Sequence, residues 1–364
     1  MGIYLATIKI ALIILAITAT DALSNRMINK RRRLLVATTC LCIALAGIGE
    51  AIGVVTNGGS SDFIVAHKMA KLLEFSVVPA LGVCAAMAYG NPVKPKIAIV
   101  AVCVHGAFQL VALQFNLVFS VDSNNIYDRQ EFYWVYVLAS VFSMIYAFTS
   151  ILKRERQYQV GGYRLVLVMN IIFLIIGVGI EFVFSPIKID YLSLAIANLF
   201  LSIGFFRTEL MVDSTTGLLN RRCYEAKLEK LGNKAVIMYF DIDGFKEIND
   251  MYGHDVGDKY LKKTAQILKN TYSRYGTCYR VGGDEFCVIM PGGDEKLTQL
   301  AETLKNEIDE VKAQDKIMPE ISSGYAVYDA GKSHIQRIIE EADAMLYISK
   351  GIRQELGEER KYID

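Results

Sequence analysis

Apolar residues follow two different patterns along this chain. As far as Phe206 they form long runs separated by short polar stretches; beyond it they recur at helical and strand spacing. Seven runs approach the ~20 residues needed to cross a bilayer. They lie at about 4–22, 34–56, 64–89, 97–120, 132–152, 163–184 and 189–206. The third carries Lys68, Lys71 and Glu74 in its first half, a heavy load for a spanning segment. Arg31, Arg32 and Arg33 follow the first run instead of preceding it, so no cleaved signal peptide is expected.

After Phe206 helix and strand alternate, which predicts an α/β domain. Residues 218–231 read as helix and 235–240 as a buried strand. Residues 256–272 read as an amphipathic helix with Tyr260, Leu261, Ala265, Ile267 and Leu268 on its apolar side. Two short strands, 278–281 and 286–290, flank Gly282-Gly283-Asp284-Glu285 as a hairpin. A helix over 294–311, a strand over 321–327 and a helix over 333–352 complete a mixed sheet flanked by helices. The predicted architecture is therefore multi-domain: an all-α transmembrane bundle over 1–206, a short helical linker over 207–212, and an α/β domain over 213–364. The linker holds no Gly or Pro, so one helix is expected to run out of the bundle into the second domain.

Charge separates the same two parts. Residues 1–206 carry 16 Lys+Arg and 10 Asp+Glu, whereas residues 207–364 carry 23 and 28. The second domain is net acidic, which argues against binding nucleic acid through basic charge. With 53% hydrophobic residues the whole chain is too apolar for a disordered or disulfide-stapled class. Within the bundle Lys and Arg concentrate in loops 23–33, 90–96 and 153–164, while loops 57–63, 121–131 and 185–188 hold only Arg129 and Lys188. The basic loops are expected on the cytoplasmic side of the inner (plasma) membrane. That places the N-terminus outside and the C-terminal domain inside, with Tyr133 and Trp134 in the outer aromatic belt.

Polar residues inside the runs are costly and few: Glu50, Glu74, His105, Gln109, Gln114, Asn170, Glu181 and Asn198. They can hold a signal ligand or tie helices together. Glu50 and Glu181, ionisable and deep, favour the first; His105 favours the second. No pair among the seven cysteines has metal-site spacing, and none lies in an outer loop, so no disulfide is expected.

Two acidic clusters mark the second domain. Asp241-Ile242-Asp243 closes the first strand, where ligands of open α/β sheets tend to sit. Asp284 and Glu285 sit at the glycine-rich hairpin tip. Carboxylates from two adjoining strand ends suit a hard divalent cation and a metal-assisted displacement at phosphorus. Either cluster alone also suits an ordinary solvated turn.

Together they carry a resemblance. Arg280-Val-Gly-Gly-Asp-Glu-Phe286 resembles the signature of the diguanylate cyclases, the GGDEF domains. Asp213-Ser-Thr-Thr-Gly-Leu-Leu-Asn-Arg-Arg222 is similar to the family's opening motif, with Ser-Thr where a leucine is common before the second threonine. Asp241-Ile-Asp-Gly-Phe-Lys-Glu-Ile-Asn-Asp250 and Tyr252-Gly-His-Asp-Val-Gly-Asp258 resemble its substrate segment, and Ser323–Ala326 and Ala342–Lys350 its closing strand and helix. Five motifs in order over about 212–353 make the likeness specific. A second Gly292-Gly293-Asp294-Glu295 string is read as a plain loop and helix cap.

The resemblance implies a palm-like nucleotidyl cyclase fold and synthesis of cyclic di-GMP from two GTP by a homodimer. It implies two Mg2+ or Mn2+ per site, held by Asp241, the Ile242 carbonyl and Asp284. Glu285 would serve the metals or deprotonate the attacking 3′-hydroxyl. Asn249 and Asp258 would read guanine, His254 would lie near sugar and base, and Lys246 and Lys350 would meet the phosphates. Asp243 is expected to be structural, paired with Arg221. Two departures stand out. Gln354 occupies the place of a usual arginine, with Arg353 one residue before it, and Ser273-Arg-Tyr-Gly276 replaces the inhibitory RxxD. Two other readings remain: a silent receptor that binds GTP or a protein partner, and a transporter with a regulatory domain. Both Asp284 and Glu285 are present, against the first; no internal repeat is seen, against the second.

Overall fold

The computed structural model describes residues 2–26, 28–158, 168, 170, 172, 189–332 and 334–361. It divides into two compact units, Met1–Glu209 and Leu210–Asp364.

The N-terminal unit contains helices α1 (Gly2–Ser24), α2 (Lys30–Thr56), α3 (Ile64–Tyr89), α4 (Pro95–Gln114), α5 (Tyr133–Tyr158) and α6 (Asp190–Met211). Among the described residues these six helices are long and apolar enough to cross a membrane. Apart from residues 168, 170 and 172, the run predicted at 163–184, with Glu181, lies outside the described residues. The fourth run is shorter than its hydropathy implies. The helix stops at Gln114, and Phe119–Val121 (β1) pairs antiparallel with Tyr127–Arg129 (β2) in a small hairpin.

Small residues let the helices approach. A Cβ on Gly82 would meet the Ser143 carbonyl of α5, so α3 and α5 pack together only because that side chain is missing. Polar groups then tie neighbouring helices. The Tyr4 hydroxyl donates to Glu50 Oε2 at 2.8 Å, joining α1 to α2. His105 Nε2 lies 3.1 Å from the Phe75 carbonyl, joining α4 to α3. Asn198 of α6 accepts from the Tyr89 hydroxyl at 2.9 Å and donates to Cys40 Sγ at 3.3 Å. Lys71 pairs with Glu74 at 2.7 Å and lies over the rings of Phe75 and Tyr127, which explains how the third run tolerates its charges. At the loop end Asn125 donates to the carbonyls of Thr56 and Ser60, and its Oδ1 faces His67 Nδ1 at 2.9 Å.

The C-terminal unit is built on a five-stranded sheet in the order β3-β5-β6-β4-β7. The strands are β3 (Leu219–Asn220), β4 (Lys234–Ile242), β5 (Thr277–Arg280), β6 (Glu285–Pro291) and β7 (Ile321–Asp329). Only the β3–β5 pair is parallel, so the sheet is mixed. Interior strand β4 is apolar on both faces because helices cover both. Val236, Met238 and Phe240 pack with α9 (His254–Tyr272) and α10 (Leu297–Gln314). Ala235, Ile237 and Tyr239 pack with α7 (Arg221–Leu228) and α11 (Ile335–Lys361). Between β4 and α9 lies a short amphipathic helix, α8 (Phe245–Tyr252), which buries Ile248 and which the sequence pattern did not suggest.

Candidate nucleotide and metal site

Strand register assembles the two acidic clusters. In the antiparallel β4–β6 pair, Asp241 stands opposite Glu285, so the end of one strand meets the start of the other. Asp284 is the last residue of the turn between β5 and β6, half-buried, while Glu285 is exposed. The Glu285 carboxylate folds back over Gly282, where a Cβ would obstruct it. Asp241 is 6% exposed, and Lys350 Nζ reaches its Oδ1 at 2.8 Å from α11.

The electrostatics favour an added cation. Burial raises the Asp241 carboxyl above its usual range; Asp284 and Asp243 add to the effect, and the Lys350 hydrogen bond opposes it without cancelling it. Burial alone would lower Lys350, but its hydrogen bond and charge pairing with Asp241 raise it. Both groups move upward because Asp241 is the more deeply desolvated partner and has carboxylates on its other side. Among the described residues no three His, Cys, Asp or Glu side chains converge as a closed metal cage. Mg2+ is commonly held by one or two carboxylates, with substrate phosphates and water completing the shell. The oxygen donors Asp241 and Asp284 fit such an ion. The Ile242 side chain is 1% exposed in the core, so only its backbone can serve a ligand.

The remaining predicted residues lie along α8 and α9. The Asn249 side chain packs against Gly257, where any Cβ would collide with its Oδ1. Asp258 follows on the exposed side of α9, His254 begins that helix, and Lys246 is exposed in the first turn of α8. Among the described residues no hydrogen bond or ion pair joins Lys246, His254 or Asp258 to the Asp241–Asp284 cluster. Asp243 does not take the expected partner: it accepts from the Ser322 hydroxyl at 2.9 Å, and Arg221 pairs with Glu225 at 2.9 Å. One helical turn separates Arg221 from Glu225, a nearer partner than the end of β4.

Arg280 is the residue that motif reading under-used. Its guanidinium contacts Asp213 and the carbonyls of Gly282 and Gly283, so it shapes the turn that presents Asp284. The available signal was an arginine two residues before the glycines, with a carboxylate opening the domain.

Residues 210–355 match the family model described as "Diguanylate cyclase, GGDEF domain". The C-terminal unit is a GGDEF domain. It is similar to "Diguanylate cyclase DosC" of Escherichia coli (strain K12), 32% identical over 156 residues, which is 40% of this chain and 34% of that protein. An uncharacterized membrane protein of Staphylococcus aureus (strain USA300) is 29% identical over 216 residues, covering 50% of this chain and 60% of that one. The chain thus spans between a third and three fifths of the length of these curated relatives. Among solved structures, the coiled coil and GGDEF domain of DgcB from Caulobacter crescentus, in complex with c-di-GMP, is 28% identical. It covers 40% of this chain and 83% of that one, with a TM-score of 0.36. The GGDEF domain of this chain carries the glycine-rich turn and the strand-end aspartate on which its site is built.

Proposed function

We propose that this protein is a membrane-bound, signal-regulated diguanylate cyclase that condenses two GTP into cyclic di-GMP and releases two pyrophosphates. The observation that carries the reading is the juxtaposition of buried Asp241, Lys350 and the Asp284–Glu285 turn where the end of β4 meets the start of β6. Retention of both signature carboxylates favours this reading over a silent receptor.

In the proposed reaction the 3′-hydroxyl of one GTP attacks the α-phosphorus of the other. A P–O bond forms, the bond to pyrophosphate breaks, and the hydroxyl proton leaves to Glu285 or solvent. Mg2+ or Mn2+ bound by Asp241, Asp284 and the Ile242 carbonyl would neutralise phosphate charge. Lys350, held against Asp241, and Lys246 on α8 bind phosphate oxygens as point charges. Asn249 and Asp258 select guanine: a carboxylate accepts from both its N1–H and its exocyclic amine, which adenine does not offer together. His254 borders sugar and base. One domain holds one GTP, so two domains must face each other and the active form is a homodimer.

Placement in the inner membrane follows from the basic loops, with the N-terminus outside and the GGDEF domain in the cytoplasm, where GTP is available. α6 continues as one helix from Asp190 to Met211, which supports signal transfer along a stiff segment. Incubating the detergent-purified full chain with GTP and Mg2+, followed by nucleotide chromatography, tests the activity. A cyclic di-GMP peak that requires both is expected; unchanged GTP would defeat the proposal.

A further inference from the structure

A groove of about 470 Å3 lies between α3, α4 and α5 of the N-terminal unit. Its walls include Val83 of α3, Ala98, Ala101 and Val102 of α4, and Phe142 and Tyr146 of α5. At one end stands Lys94, immediately before α4, with Lys96 in the first turn. At the other is His105, buried and already bonded to the Phe75 carbonyl. Eleven residues of helix separate the two ends, about 16 Å of rise, roughly half of the hydrocarbon thickness. The groove is thus apolar along its length and cationic only at its mouth.

The mouth is complementary to an anion. Among the described residues neither Lys94 nor Lys96 pairs with a carboxylate, and both are exposed. The first-turn amides of α4 add the positive end of a 20-residue helix dipole beside them. Tyr146 donates to the Val93 carbonyl at 3.0 Å, fixing the loop that carries Lys94 to the wall of the groove. A free phosphate would leave the apolar length of the groove empty. A zwitterionic choline headgroup would bring its own cation against the two lysines.

We infer that this groove binds one acyl chain of an anionic glycerophospholipid, with the headgroup phosphate at Lys94 and Lys96. The inference requires only that α4 cross the membrane, and it stands or falls independently of cyclase activity.

Native mass spectrometry of the full chain in mild detergent tests it, with phosphatidylglycerol or phosphatidylcholine of identical chains added. Wild type should retain phosphatidylglycerol preferentially. Lys94→Gln and Lys96→Gln should each weaken that retention about fivefold, the electrostatic worth of one lysine near anionic lipid. Retention of phosphatidylcholine should not change in either variant. Both lysines are exposed, so these substitutions leave packing intact. Ala101→Phe, which fills the groove, should lower retention of both lipids. Arg129→Gln, on the hairpin at the far end of the unit, should change neither. Equal retention of the two lipids by wild type would overturn the inference. So would undiminished phosphatidylglycerol binding in the lysine variants, loss of binding in Arg129→Gln, or displacement of the lipid by millimolar inorganic phosphate.

Discussion

Arg280 Nη1 lies 3.0 Å from Asp213 Oδ1, and the same guanidinium donates to the carbonyls of Gly282 and Gly283 at 3.2 Å or less. Asp213 stands two residues after the end of α6, and it also accepts from the Thr216 hydroxyl and backbone N–H. One ion pair therefore links the residue that opens the GGDEF domain to the turn that presents Asp284. Hydrogen bonds to charged groups contribute about 1.5–3 kcal/mol each. Asp213→Asn is expected to destabilise the GGDEF domain by about that amount and to lower activity further, because the turn loses its clamp. Thermal unfolding and cyclic di-GMP formation measured on the full chain check both effects.

The same pair sets a pH dependence. Burial alone would raise the Asp213 carboxyl, but the hydrogen bonds from Thr216 and the Arg280 charge outweigh it and hold the group below its usual range. A depressed carboxyl contributes stability that is present above its unfolded value and lost as pH falls through the folded one. The stability gap between wild type and Asp213→Asn should be constant above about pH 4, the ordinary carboxylate range, and shrink below it. A gap that widens on acidification would contradict the assignment.

Asp284→Ala and Glu285→Ala should each lower cyclic di-GMP formation by about a hundredfold or more, the usual worth of a group acting on the reacting atoms. Asp284 is half-buried in a turn and Glu285 is exposed, so the unfolding midpoint should move little. Near-normal turnover in both variants would remove the carboxylates from the reaction.

Gly257 tests guanine recognition without replacing a polar side chain. An added Cβ would occupy the position of Asn249 Oδ1. Gly257→Ala should therefore raise the KM for GTP more than it lowers kcat, and should narrow the preference for GTP over ATP. Steady-state kinetics with both nucleotides separate these effects.

Feedback through the usual RxxD position is not expected. Ser273 caps the end of α9, and a Cβ on Gly276 would lie 2.6 Å from the Ile289 carbonyl, so the backbone there has no room for an aspartate side chain. Micromolar cyclic di-GMP should leave the progress curve unchanged in wild type and in Arg274→Ala alike. Strong inhibition that vanishes in Arg274→Ala would reveal a product site using that arginine.

Topology is open to a separate measurement. A reporter fused after Asp364 should behave as cytoplasmic and one inserted at Gly59 as external. The reverse result would overturn the orientation, and both reporters on one side would overturn the span count.

The sequence by itself determined the division of the chain, because bilayer crossing demands long apolar runs and a folded α/β domain demands short ones. It also determined the chemistry offered at the GGDEF turn, since Asp284, Glu285 and the two glycines are contiguous. Its boundaries failed where tertiary pairing outweighs local hydropathy. The apolar stretch to residue 120 ends as a hairpin strand, and α8 is too short for its periodicity to show. Only the tertiary structure decided partners. Register placed Asp241 opposite Glu285, the return of α11 brought Lys350 to Asp241, and Ser322 took Asp243 in place of Arg221. Likewise Lys71 and Glu74 became tolerable in a spanning helix only once they met each other and the aromatic rings around them. Composition and spacing specify which groups a chain carries. Which of them lie within three ångströms of one another depends on strand register and helix return, and those are set by burial across the whole fold.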